Sequence, residues 1–114
     1  MKTIKTLNLK DSEINAIMEL KKRVLQLYPD AEIILFGSKA RGDYNKDSDI
    51  DILILLGAKV NYNVEKKIIK NISDIYSIYD DVVFETLIEN KDEWLNNKLN
   101  YFIRNNINKE GISL

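Results

Sequence analysis

Residues 50–56 (IDILILL) restrict the fold more than any other part of the chain, because they are apolar except for Asp51. A short apolar run that is closed by a glycine, here Gly57, is typical of a β-strand. The uninterrupted apolar run of residues 52–58 is far shorter than the roughly 20 residues that a membrane-spanning helix needs. Because the sequence also shows no signal-peptide pattern, we expect a cytoplasmic protein without a membrane span.

The segments around this strand show helical and strand patterns in turn. Apolar residues recur at helical spacing over about residues 14–28 and 62–79, which predicts two helices, the first of them ended by Pro29. Residues 31–36 (AEIILF) and 81–88 (DVVFETLI) are predicted to be strands. The resulting order predicts an α+β fold in which helices lie on a small β-sheet.

The chain length limits the domain organisation. At 114 residues there is room for one hydrophobic core. We therefore expect a single domain over residues 1–114, with its core at about 31–88. A last helix is predicted at about 91–106. Four of its side chains are expected to face inward: Trp94, Leu95, Leu99 and Phe102.

Two residue types are absent, and their absence narrows the chemistry. The chain has no cysteine, which excludes disulfides, thiolate nucleophiles and cysteine zinc sites. It also has no histidine, which removes the usual general base at neutral pH and the commonest metal ligand. Any catalysis must therefore use carboxylates, hydroxyls, Lys, Arg, backbone amides or a metal that is held by oxygen atoms.

The charge balance bears on the choice of substrate. Seventeen basic and 18 acidic residues give a formal net charge of −1, and both signs are spread over the two halves of the chain. A domain that binds nucleic-acid phosphates normally carries a basic surplus on one face. Nucleic acid is therefore not expected as the direct substrate.

Two short features can support oxygen-based chemistry. Gly37 and Ser38 follow a predicted strand, where a glycine lets the backbone approach a ligand closely and the serine hydroxyl can donate to a phosphate oxygen. Asp49 and Asp51 stand at i and i+2 at the start of the next strand, so their carboxylates point to the same face. Each carboxylate opposes the ionisation of the other, and a hard cation such as Mg²⁺ offsets that repulsion.

The spacing joins these features, because ten residues separate Gly37-Ser38 from the triplet that begins at Asp49. The stretch GSKARGDYNKDSDIDILI resembles the minimal nucleotidyltransferases of the DNA polymerase β-like superfamily, as found in HEPN–MNT toxin–antitoxin pairs. The resemblance implies the fold of that superfamily, a small mixed β-sheet flanked by helices. It also implies that Gly37 and Ser38 bind the triphosphate of ATP or another NTP, and that Asp49 and Asp51 hold one or two Mg²⁺ ions.

The resemblance further implies a third carboxylate on the following strand, as a metal ligand or as the group that deprotonates the acceptor. Glu85 is the preferred residue, because a Glu between apolar residues in mid-strand is unusual unless it has a partner. Asp81 is the alternative third acid. Arg41 has two interpretations: it contacts a phosphate, or it forms a structural ion pair with one of the paired aspartates.

Two functions follow from the resemblance. The first is an enzyme, a Mg²⁺-dependent nucleotidyltransferase that moves a nucleoside monophosphate, AMP from ATP in the first instance, onto an acceptor hydroxyl. Its expected acceptor is a HEPN-type RNase toxin, which makes the chain an antitoxin and a protein adenylyltransferase. The alternative is a non-catalytic antitoxin that neutralises its partner by forming a complex.

Overall fold

The computed structural model describes residues 4–43 and 48–114. The chain begins with a short 3₁₀ helix (Ile4–Thr6), helix α1 (Asp11–Leu27), strand β1 (Glu32–Phe36), helix α2 (Gly37–Arg41) and strand β2 (Ile50–Leu56). It continues with helix α3 (Tyr62–Ile78), strand β3 (Phe84–Asn90), helix α4 (Lys91–Asn96), a second 3₁₀ helix (Lys98–Asn100), helix α5 (Tyr101–Glu110) and strand β4 (Ile112–Ser113).

The four strands form one mixed sheet in the order β3-β2-β1-β4. Strand β1 pairs antiparallel with β2 and β4, whereas β2 and β3 run parallel. A parallel pair needs a crossover connection, and α3 supplies it. The apolar strand β2 thus lies between two neighbours, and six of its seven residues are buried. The predicted α+β class, a small mixed sheet flanked by helices, is confirmed.

Helices cover both faces of the sheet. One face packs against α1 and α3 in a large apolar cluster that includes Leu20, Leu35, Ile52, Ile54 and Ile68. A smaller cluster on the other face joins Leu53 and Leu55 to Trp94 and Ile107. Because successive residues of a strand point to opposite faces, Asp51 lies on the face of the smaller cluster, which α4 and α5 cover.

The C-terminal helix expected at about 91–106 is instead two helices, α4 and α5. Arg104 stabilises the break. Its Nη1 donates to the carbonyl oxygens of Trp94 at 2.7 Å and Asn97 at 3.0 Å. Carbonyl groups at the end of α4 thereby accept hydrogen bonds from Arg104, in place of those that a further turn of the helix would have donated.

The break changes which side chains face the core. Trp94 is buried as expected, but Leu95 and Phe102 are 66% and 81% exposed, so the inward orientation expected for these two was wrong. The expectation for the side chain of Leu99 falls outside the described part of the structure. A single helical periodicity cannot be extended across the break between two helices.

Strand β4 had no counterpart in the predicted elements. It pairs Ile112 with Leu35 and Ser113 with Ile34. A strand of two residues is too short to show a periodic sequence pattern, so it is recognised only from its pairing with β1. Among the helices of the described residues, none combines the length and the apolar character needed to cross a membrane.

Candidate active site

Gly37 joins β1 to α2 and has a φ angle of 74°, in the left-handed region that L side chains rarely adopt. A Cβ atom on this residue would overlap the carboxylate of Asp51. Both observations require a glycine at this position. The backbone at Gly37 is thereby packed directly against Asp51, one of the paired aspartates.

The serine of the motif begins a helical turn. Residues Gly37–Arg41 form α2, a helix that was not among the predicted elements. Lys39, the residue after Ser38, is fully buried, and its Nζ forms an ion pair with Glu13 Oε2 at 2.8 Å. The other carboxylate oxygen of Glu13 accepts the N–H of Lys10 at 3.0 Å. This ion pair therefore fastens α2 to the start of α1. Neither Lys39 nor Glu13 was among the predicted site residues.

The acidic side chains come from adjacent strands. Asp51 and Glu85 are direct partners in the parallel register of β2 and β3, so both side chains point to the same face of the sheet. Asp49 lies two residues earlier, immediately before β2, and is exposed. The fold thus brings Gly37, Asp51 and Glu85 together.

Asp51 has an unusual electrostatic environment. Burial, followed by the charge of Glu85 and a hydrogen bond between these two carboxyl groups, raises the pKa of Asp51 to about 6. The charge of Asp49 adds to this rise, and Arg41 opposes it. Burial and like charges both disfavour the ionised carboxylate. A bound cation would relieve that cost.

The alternative third acid, Asp81, lies elsewhere. Strand β3 begins at Phe84, and Asp81 belongs to the turn before it. Its Oδ2 accepts a hydrogen bond from Ser12 Oγ at the start of α1, at 2.8 Å. The strand expected to begin at Asp81 therefore starts three positions later, and the geometry favours Glu85 as the third acid.

Arg41 forms ion pairs with two carboxylates that the sequence analysis had not considered. Its Nε contacts Asp43 Oδ2 at 3.1 Å, and its Nη1 contacts Glu110 Oε2 at 3.0 Å. These two carboxylates raise the pKa of Arg41 above its ordinary value. Glu110 Oε1 also accepts the N–H of Gly37 at 3.2 Å. Glu110 was missed by the sequence analysis, because it lies 73 positions from Gly37 and shares no motif with it.

The carboxylates provide the hard oxygen donors that Mg²⁺ prefers. However, no group of three acidic side chains in residues 4–43 and 48–114 is already close enough to form a metal site. Asp51 is hydrogen-bonded to Glu85, whereas Asp49 acts on it only through its charge. The donor chemistry therefore fits a divalent cation, and metal binding by Asp49, Asp51 and Glu85 stays a prediction.

A mixed four-stranded sheet with helices on both faces and a Gly-Ser turn at the end of β1 defines a polymerase β-like nucleotidyltransferase fold. A solved toxin–antitoxin structure with AMP-PNP has this fold, with a TM-score of 0.58 and 18% sequence identity, over 91% of this chain and 72% of that one. The model of the nucleotidyltransferase domain family matches residues 17–105. The chain belongs to this family and is a nucleotidyltransferase.

Two curated relatives come from Methanocaldococcus jannaschii, and both are provisionally named protein adenylyltransferases. One is 40% identical over 80 residues, which cover 68% of this chain and 80% of the relative. The other is 39% identical over 83 residues, which cover 70% of this chain and 73% of the relative. The resemblance noted from the Gly-Ser and Asp-x-Asp motifs is thereby confirmed.

Proposed function

We propose that the chain transfers AMP from ATP, with Mg²⁺, onto a hydroxyl group of a HEPN-type toxin protein. The observation that carries this proposal is the pairing of Asp51 with Glu85 across β2 and β3, directly beside Gly37. A proton or a cation between two adjacent carboxylates relieves their mutual repulsion. Metal-dependent nucleotidyl transfer uses such a cation.

The metal would neutralise charge on the phosphates and align the acceptor oxygen with the α-phosphorus. Asp49 and Asp51 would hold it, with Glu85 as a further ligand or as the group that removes the acceptor proton. Glu85 suits the second role because it is more exposed than the Asp51 carboxyl group beside it. An acceptor that approaches from outside the chain can reach Glu85.

Phosphate binding would rest mainly on Ser38. The N–H of Gly37 is already donated to Glu110, and the Arg41 guanidinium already contacts two carboxylates. Ser38 follows Gly37 and is half-buried at the start of α2. Its hydroxyl and its backbone N–H lie on the segment that Gly37 brings against Asp51. Gly37 therefore contributes close approach of the backbone rather than its own amide.

Two findings support the nucleotide and the acceptor. Both curated relatives carry the name of protein adenylyltransferases, which favours AMP as the transferred group and a protein as the acceptor. The solved structure of similar fold is described as a toxin–antitoxin complex with AMP-PNP, an ATP analogue. A HEPN-type toxin is the partner that the motif resemblance suggests.

Transfer of label tests the proposal. The chain is incubated with Mg²⁺, α-labelled ATP and a HEPN-type toxin, and label on the toxin is measured after denaturing electrophoresis. We expect labelling by the wild-type chain and by the matched control Asp80→Asn, which changes an exposed acid outside the site. Asp49→Asn should not label the toxin, because a proposed metal ligand is lost.

The same assay separates the enzyme from the non-catalytic antitoxin. If the wild-type chain binds the toxin and blocks its RNase activity without transferring label, and Asp49→Asn blocks it equally well, the transferase proposal is wrong. The conclusion would then be that the chain is a non-catalytic antitoxin, which neutralises the toxin by forming a complex with it.

A further inference from the structure

Glu110, the last residue of α5, contacts both ends of α2. Its Oε1 accepts the N–H of Gly37 at 3.2 Å, and its two oxygens accept Arg41 Nη1 at 3.2 and 3.0 Å. Its side chain is only 19% exposed. Charge-assisted hydrogen bonds of this kind are about twice as strong as neutral ones. Glu110 also lies outside residues 17–105, which match the family model.

These contacts leave Gly37 little freedom to move. Its amide is bound by Glu110, while the space on its Cα is closed by the Asp51 carboxylate. Any displacement of Gly37 would also displace Ser38, the next residue. The carboxylate of Glu110 therefore controls where Ser38 stands relative to the acids on β2 and β3.

A carboxylate on a motif amide could instead be an internal substitute for phosphate that leaves when ATP binds. The backbone after Glu110 argues against such release. A Cβ on Gly111 would meet the Ile107 carbonyl and the Ile34 side chain, so the chain turns there in close contact with α5 and β1. Ile112 then pairs with Leu35, and the N–H of Leu114 donates to the Ile33 carbonyl at 2.9 Å. The segment that carries Glu110 is fixed on both sides.

We propose that Glu110 is a positioning residue of the nucleotide site. It acts through Gly37 and Arg41 to hold Ser38 in place for the triphosphate, and it touches neither substrate. The proposal rests on the proposed nucleotidyltransferase function. Its consequence is specific: loss of Glu110 weakens the binding of Mg²⁺–ATP, whereas the affinity for the acceptor protein is retained.

The test compares Glu110→Ala and Glu110→Gln with the control Lys109→Ala, an exposed neighbour on the same helix. Mg²⁺–ATP affinity is measured by calorimetry at a temperature at which every variant is folded. We expect the Kd of Glu110→Ala to rise about tenfold or more. Glu110→Gln retains an acceptor for the Gly37 amide but loses the ion pair with Arg41, so a smaller rise is expected. The control should match the wild type.

Two results would overturn the proposal. An unchanged Kd in Glu110→Ala would show that Glu110 only supports the fold. A lower Kd, meaning tighter binding, would show that its carboxylate competes with phosphate. With the toxin as acceptor, a KM for ATP that rises while the KM for toxin stays constant supports positioning.

Amide hydrogen exchange without nucleotide separates this proposal from the function on which it rests. Glu110→Ala should expose the Gly37 and Ser38 amides to faster exchange, and Glu110→Gln should do so less. If these amides lose protection but the wild-type chain binds no Mg²⁺–ATP, the proposed function fails and the anchoring by Glu110 stands. If the wild type binds Mg²⁺–ATP and neither exchange nor affinity changes, the role of Glu110 fails alone.

Discussion

Asp51 and Glu85 are direct partners in the parallel β2–β3 pair, although 33 residues, including the whole of α3, separate them in the sequence. Burial, together with this proximity of Glu85, raises the pKa of Asp51 to about 6. A half-buried carboxyl group beside a second carboxyl group does not favour stability, because burial and the neighbouring charge both disfavour the ionised form of Asp51. Perturbed acids in such positions are typical of functional sites.

The first prediction separates the two candidates for the third acid. Glu85→Gln should leave Mg²⁺–ATP binding largely intact, because Asp49, Asp51 and Ser38 hold the nucleotide in the proposed site. Transfer should fall by about 10²–10⁴-fold, the usual contribution of a positioned acid or base. Asp81→Asn is the matched control, because its carboxylate binds Ser12. An essential Asp81 together with a silent Glu85 would reverse the assignment.

The second prediction concerns the pH dependence of stability in metal-free buffer. The pKa of Asp51 is raised from 3.8 to about 6, so between these values the native state binds more protons than the unfolded state. The contribution of Asp51 to the free energy of unfolding therefore decreases as the pH rises from about 4 to about 6, and is constant above. Burial is the largest cause of this raised pKa; the charges of Glu85 and Asp49 add to it, and Arg41 opposes it.

Urea denaturation in EDTA at a series of pH values measures this effect. Asp51→Asn should remove part of the decline and should be more stable than the wild type at pH 7, because one of two repelling charges is gone. Asp80→Asn, an exposed control, should retain the wild-type pH profile. Identical profiles for the wild type and Asp51→Asn would contradict the raised pKa.

The third prediction is that ATP stabilises the fold only together with a divalent cation. At a free-ligand concentration of about a hundred times Kd, binding adds about 2.7 kcal/mol to the free energy of unfolding. A thermal shift should therefore appear with ATP and Mg²⁺ but not with ATP and EDTA, and Asp51→Asn should reduce it. Equal shifts in both buffers would exclude a metal-dependent nucleotide site.

The fourth prediction uses two glycines with similar backbone angles. Gly37 and Gly42 have φ angles of 74° and 88°, so alanine at either position costs about 1–2 kcal/mol of conformational strain. At Gly37 the added Cβ would also meet the Asp51 carboxylate, whereas at Gly42 it would meet no atom of residues 4–43 and 48–114 within 4 Å. Gly37→Ala should lose more stability than Gly42→Ala, and should also lose Mg²⁺–ATP binding. Equal losses of stability and of Mg²⁺–ATP binding in both variants would show that the close approach of Gly37 to Asp51 contributes to neither.

Local sequence patterns were enough to predict the main helices and strands and to select the chemical groups of the candidate site. The apolar run of β2 indicated a strand, helical spacing indicated α1 and α3, and the Gly-Ser and Asp-x-Asp spacing indicated the nucleotidyltransferase family. These signals are local: a strand alternates with a period of two residues, a helix repeats every 3.6, and a motif lies within one short stretch. They could be recognised without knowledge of any partner strand or helix.

Which residues from distant parts of the chain come into contact could be seen only in the folded structure. The register of β2 and β3 placed Glu85, rather than Asp81, beside Asp51, and the docking of α5 placed Glu110 on Gly37 and Arg41. The break between α4 and α5, where Arg104 satisfies the last carbonyls of α4, likewise depends on a contact between separate segments. Contacts between residues far apart in the chain leave no periodic pattern, because strand register and helix docking are set by the packing of the whole sheet.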